Sequence, residues 1–98
     1  MYRIFRLPPG HSSLLDALYQ DDVVGRQSVT ARDARSLGLA GDGTLVLVEG
    51  SDAGVTRAGE ILKESAAVLK GADAEAAYRA FKAQDEEAAS GMGLIFGG

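Results

Sequence analysis

Gly43-Thr44-Leu45-Val46-Leu47-Val48-Glu49-Gly50-Ser51-Asp52-Ala53 decides the fold. Leu45 to Val48 are apolar at every position, the pattern of a strand covered on both faces rather than one. Gly41-Asp42-Gly43 marks where that strand opens and Gly50-Ser51-Asp52 where it closes. Residues 44–49 are therefore expected to form the central strand, and Asp52 to cap the helix that follows.

Downstream, Val55, Ala58, Leu62, Ala66 and Leu69 recur at three- to four-residue steps. That stripe predicts a helix from residue 53 to Lys70, with Gly71 as its C-terminal cap. Asp73 would cap a second helix over 74–89, burying Ala74, Ala77, Phe81 and Ala88. A rival reading makes residues 65–70, Ser-Ala-Ala-Val-Leu-Lys, a short strand closing a βαβ unit. Leu94-Ile95-Phe96 reads as a last strand, followed by Gly97-Gly98.

Upstream, residues 2–7 read as a strand stopped by Pro8-Pro9-Gly10. Ser12 or Ser13 would cap a helix carrying Leu14, Leu15, Leu18 and Tyr19. Residues 23–29 read as a weak strand, in which Gly25 marks a bulge or a close backbone approach. Thr30 would start a short helix over 31–37, with Gly38 just past its end and Leu39 in apolar contact beyond.

These elements give one α+β domain over residues 1–98. It is expected as a two-layer sandwich of about four mainly antiparallel strands, with helices packed on one face. If residues 65–70 are a strand, a ferredoxin-like βαββαβ core with an added helix and strand follows instead. A central strand apolar on both faces needs helices on both sides or a second subunit, and the second route makes a homo-oligomer the expectation.

The composition narrows the function. Ten Lys and Arg against 14 Asp and Glu give a net charge of -4. An acidic chain is a poor match for nucleic acid, where phosphate neutralisation supplies much of the affinity. The chain has no cysteine, which excludes thiol catalysis, disulfides and cysteine-ligated metals, and fits a cytoplasmic protein. No apolar leader and no run of the ~20 apolar residues needed to span a bilayer is present, so neither a signal peptide nor a membrane segment is expected.

Chemistry-bearing residues are sparse. His11 is the single histidine, between a Pro-Pro-Gly turn and Ser12-Ser13, and no partner that would orient it as a base is identifiable. The serines lack a nucleophile context. Gly50-Ser51-Asp52 could present backbone N–H groups to an anion, but Asp52 is expected to take them up and repel it. Asp21-Asp22 and Asp85-Glu86-Glu87 read as solvated acidic faces. No catalytic residue, cofactor-binding residue or metal ligand is therefore expected.

Two stretches carry resemblances. Val48-Glu49-Gly50-Ser51-Asp52-Ala53-Gly54-Val55-Thr56-Arg57-Ala58 is similar to the strand-to-helix junction of many KH-type and ferredoxin-like domains. The KH family's G-x-x-G loop with flanking basic residues is absent, so RNA binding is not implied. The C-terminal Gly97-Gly98 after an apolar stretch read as a strand is similar to the tail of ubiquitin-like proteins and of sulfur-carrier proteins. That resemblance implies a tail threaded into an activating enzyme, with the Gly98 carboxylate adenylated. The main expectation is a small soluble, non-enzymatic binding or assembly module, homo-oligomeric and with a protein partner. The diglycine carrier is the alternative, and a regulatory domain taking a small ligand at a subunit interface is the third reading.

Overall fold

Strand β1 (Tyr2–Leu7) leads into helix α1 (Ser12–Gln20), a 3-10 turn at Val24–Arg26 and strand β2 (Ser28–Asp33). A second 3-10 turn, Arg35–Leu37, precedes strand β3 (Thr44–Glu49) and helix α2 (Asp52–Leu62). The two-residue strand β4 (Ala67–Val68) and the long helix α3 (Gly71–Gly97) complete the order. This computed structural model describes residues 1–10 and 12–97, and for Ser12 and residues 87–97 the backbone alone.

The four strands form one sheet in the order β2-β3-β1-β4, antiparallel at every junction. β1 and β2 therefore run the same way with β3 between them, and β3 and β4 run the same way with β1 between them. α1 and α2 are the crossovers of these two split units, and both pack on one face of the sheet. The α+β class with about four antiparallel strands is the class the sequence predicts. β3 is the inner strand expected, with Leu45, Val46, Leu47 and Val48 all buried.

Alternation along the strands sorts their side chains between two apolar clusters. Phe5, Leu7, Val46 and Val48 meet Leu18 of α1 and Val55, Ala58 and Leu62 of α2. On the opposite face Ile4, Leu45 and Leu47 meet Ala34 and the Ala77 and Phe81 side chains of α3. The chain's own helix thus covers the second face, so the apolar character of β3 does not by itself call for a second subunit.

Several boundaries differ from expectation. The helix predicted over 53–70 ends at Leu62, and Ala67–Val68 pair with Phe5 and Arg6 of β1, which is the rival βαβ reading. The reason is geometric. Ala66 packs toward the α1–α2 cluster while Leu69 packs toward the α3 cluster, so the stripe that reads as one helix face is divided between two faces of the sheet.

The strand predicted over 23–29 and the helix over 31–37 shift as well. Val24–Arg26 is a 3-10 turn, and Thr30-Ala31-Arg32-Asp33 belongs to β2. Cross-strand pairing with β3 from Ser28 to Asp33 overrides the local helix-start pattern. Gly25 does mark a close backbone approach, since a Cβ there would sit 2.7 Å from the Tyr19 carbonyl oxygen. Gly38 takes the left-handed conformation, φ 75°, and closes the Arg35–Leu37 turn, with Leu39 packed just beyond.

Ser51, not Asp52, caps α2. Its hydroxyl oxygen accepts from the Gly54 N–H at 3.1 Å, and Asp52 lies in the first turn. Gly71 opens α3 rather than ending a preceding helix, and α3 continues to Gly97 through the residues predicted as a strand, 94–96. Among the described residues no helix is long and apolar enough to cross a membrane.

Candidate functional site

Two polar clusters hold charged side chains at fixed distances. At the open end of β1 and β3, Glu49 accepts a hydrogen bond from the Tyr78 hydroxyl at 2.7 Å and another from Lys82 Nζ at 2.9 Å. The Tyr2 ring stacks on Tyr78 with centroids 4.1 Å apart, and Lys82 lies 5.2 Å from the Tyr78 ring centre. The Tyr78 hydroxyl, then Lys82, hold the Glu49 carboxyl below its ordinary range. Its hydrogen bond to Glu49 raises Tyr78, and the same carboxylate raises Lys82.

The second cluster joins the loop after α1 to α2. The Asp21 carboxylate accepts from the Val23 and Val24 N–H groups and from Arg57 Nε at 3.0 Å. The Val24 N–H is the main cause of a lowered Asp21, and Asp21 raises Arg57. In both clusters every shift moves the group away from neutral pH and deepens its ordinary charge state. Acid–base catalysis needs the opposite. These are clamps: one ties α3 to the sheet, the other ties α2 to the turn before β2.

The turn before α2, weighed from sequence as an anion cradle, is occupied by the chain itself. Gln27 Oε1 accepts from the Ser51 N–H at 2.9 Å, and Gln27 Nε2 donates to the Val23 carbonyl at 3.0 Å. Gly50 and Gly54 make room for this amide, because a Cβ at either position would overlap Gln27 side-chain atoms. Ser51 Oγ accepts from the Gly54 N–H, so the cap expected at Asp52 sits one residue earlier in the chain.

The sheet edges offer further recognition surface. On one side β4 covers only Phe5 and Arg6 of β1, with the Leu69 N–H reaching the Ile4 carbonyl at 2.9 Å. Beyond it a groove of about 560 Å³ is lined by residues including Tyr2, Arg3, Leu69, Lys70 and Ala74. On the other side β2 presents six residues. The Ala34 N–H bonds the Gly43 carbonyl at 3.1 Å, in register with the pairing of Ser28, Thr30 and Arg32 to β3. In an antiparallel ladder the alternate residues, Val29, Ala31 and Asp33, then aim their N–H and C=O groups outward.

Two of those outward carbonyls carry bonds from nearby side chains: Arg32 Nη1 to Ala31 at 2.7 Å and Ser36 Oγ to Asp33 at 3.1 Å. The register along β2 is unbroken from Ser28 to Asp33, so no bulge turns the edge away. This edge was not found from sequence, where residues 28–33 fall across a weak strand and a helix start. The alternation Val29-Thr30-Ala31 is its one sequence signal.

Of the residues the carrier resemblance singles out, Gly97 is the last residue of α3, and Gly98 lies outside the described residues. His11 also lies outside them. Among the described residues no three His, Asp or Glu side chains gather in a way that could hold a metal ion. The chain matches no protein-family model, no curated protein and no solved structure.

Proposed function

We propose that this chain is a small cytoplasmic, non-enzymatic assembly module on a ferredoxin-like βαββαβ core with one added helix, and that it works as a homo-oligomer. The observation that carries the reading is the β2 edge, a six-residue strand whose outer side no described strand pairs. A strand edge of that length is a template for another strand unless something guards it. The strand order β4-β1-β3-β2 and the two split crossovers support the ferredoxin-like core. The direction of the shifts at Glu49, Tyr78, Lys82, Asp21 and Arg57 supports a role without acid–base chemistry.

Light scattering on the purified chain at micromolar concentration tests the reading. A mass of at least a dimer is expected, and a monomer over the whole accessible concentration range would overturn it. The diglycine carrier is a second reading without a favouring observation, because it needs an extended tail and α3 is helical through Gly97.

A further inference from the structure

We infer that two copies of this chain pair through their β2 strands, about a two-fold axis passing beside Ala31, to make one continuous eight-stranded sheet. This rests on the assembly reading above and names its partner and interface. The outward groups of β2 belong to Val29, Ala31 and Asp33, which are spaced evenly about Ala31. With the axis at Ala31, Val29 faces Asp33 of the second copy and Ala31 faces its own equivalent. Each outward N–H and C=O of these three residues then meets a complementary group, as an isologous interface requires.

Charge selects this register over its neighbours. An axis at Arg32 would put two guanidinium groups directly opposite, and one at Asp33 would oppose two carboxylates; like charges facing across strands destabilise the pair. An axis at Thr30 leaves Asp33 without a strand partner. With the axis at Ala31, Arg32 faces Thr30 of the second copy and no like charges face each other. The side chain at the axis is alanine, so nothing bulky stands where the strands meet.

Val29 and Ala31 are half-buried and lie against the α1–α2 cluster. The pairing would set Ala31 beside Ala31 of the second copy, with each Val29 opposite Asp33 and diagonal to the other copy's Ala31, so the two clusters meet at the axis through Ala31. Arg32 must release the Ala31 carbonyl and Ser36 the Asp33 carbonyl, which these exposed side chains can do at little cost. The opposite edge is a poorer candidate. β4 is two residues long, and very short edge strands discourage pairing.

The test uses the absence of cysteine in the chain. Ala31→Cys places one thiol at the axis. Cα atoms of such a pair lie about 5.5 Å apart, within disulfide reach. Mild oxidation of Ala31→Cys should give a covalent dimer much faster than Ser13→Cys, which puts a thiol on exposed α1. Equal rates would overturn the interface. In the wild type, amide exchange at Val29, Ala31 and Asp33 should slow as concentration rises. A dimer mass with those amides unprotected would sink this pairing and leave the assembly reading standing, whereas a monomer mass would sink both. Ala31→Pro removes only an outward donor, so it should dissociate the dimer while the circular dichroism stays unchanged. A folded Ala31→Pro that remains dimeric would also refute it.

Discussion

The two faces of the sheet are closed in different ways. α1 and α2 each connect two strands, so the sheet holds both ends of each helix. Their apolar stripes, with Leu18, Val55, Ala58 and Leu62, close the face. α3 follows β4, and no described strand holds its far end. Its stripe supplies Ala77 and Phe81, and polar pins supplement it. These are the Tyr2–Tyr78 stack, the Glu49 bonds to Tyr78 and Lys82, and a 2.6 Å bond from Gln84 Nε2 to the Ser36 carbonyl. A helix embedded in the topology draws mainly on burial, with the Asp21–Arg57 pair as the polar tie on α2, whereas a helix held at one end adds several directional contacts.

Phenylalanine truncation on each face can break this contrast. Phe5 and Phe81 are both almost fully buried, one on each side. Phe5→Ala should lower global stability by about 3–5 kcal/mol, the usual loss for a buried aromatic. Phe81→Ala should lower the main denaturant midpoint less, because releasing α3 caps the loss while strands, α1 and α2 stay folded. Hydrogen exchange reads the difference: Phe81→Ala should strip protection from amides around Ala77, and Phe5→Ala from β1 and β3 as well. Equal global losses in the two variants would make the faces one cooperative unit.

A smaller effect is expected at Gly54, where the embedded face depends on a missing side chain. Gly54→Ala gains up to about 1 kcal/mol of helix propensity, but the new methyl overlaps Gln27 and displaces it from the Ser51 N–H. Overpacking of this kind costs about 1–3 kcal/mol, so a net loss is expected in thermal unfolding. Adding Gln27→Ala removes the clash, and the double variant should recover stability relative to Gly54→Ala alone. Additive losses would show that Gln27 does not occupy the space.

The same contrast explains what the sequence could and could not reveal. β1 and β3 were legible because inner strands are covered on both faces, and Leu45 to Val48 record that coverage directly. α2 was legible to Leu62, where its stripe serves one cluster. The edge strands were not legible. β2 is only half-buried through Val29-Thr30-Ala31, and β4 is two residues in a stretch whose spacing suits a helix equally well. A helical step and a strand alternation cannot be separated over so few positions. The run Leu94-Ile95-Phe96 fails for the same reason: three apolar residues between glycines fit a strand, yet the helix continues through them. The β2 edge as a candidate interface is hidden in the sequence because Thr30-Ala31-Arg32-Asp33 imitates a helix start. The clamp on α3 was hidden because Tyr2 and Glu49 are far in the chain from each other and from Tyr78 and Lys82.

The smallest expected effect is a dependence of α3 docking on pH. Glu49 has a lowered pKa in the folded chain, chiefly through the Tyr78 hydroxyl and then Lys82. The unfolded state therefore takes up a proton at this position before the folded state does. The contribution of Glu49 is complete above the unfolded carboxyl range and is lost as pH falls through the lower, folded value. Tyr78 and Lys82 are raised, so their contribution is complete below their unfolded values and lost as pH rises through the folded ones. The clamp should thus be firmest across the neutral range and loosen in acid and in strong base. Because Glu49 and Lys82 are partly exposed, solvent screens the pair and the effect on global stability should be slight. Exchange at the α3 amides near Ala77 is the sensitive measure, followed from about pH 7 down through the carboxyl range and corrected for the intrinsic rate. Protection there should fall in acid while β3 amides hold. In Glu49→Gln, whose side chain cannot titrate, the α3 profile should follow that of β3. If wild-type α3 and β3 lose protection together, the Glu49 clamp does not hold α3 separately, and the one-ended helix is secured by Phe81 and Ala77 with the Tyr2–Tyr78 stack and the Gln84 bond.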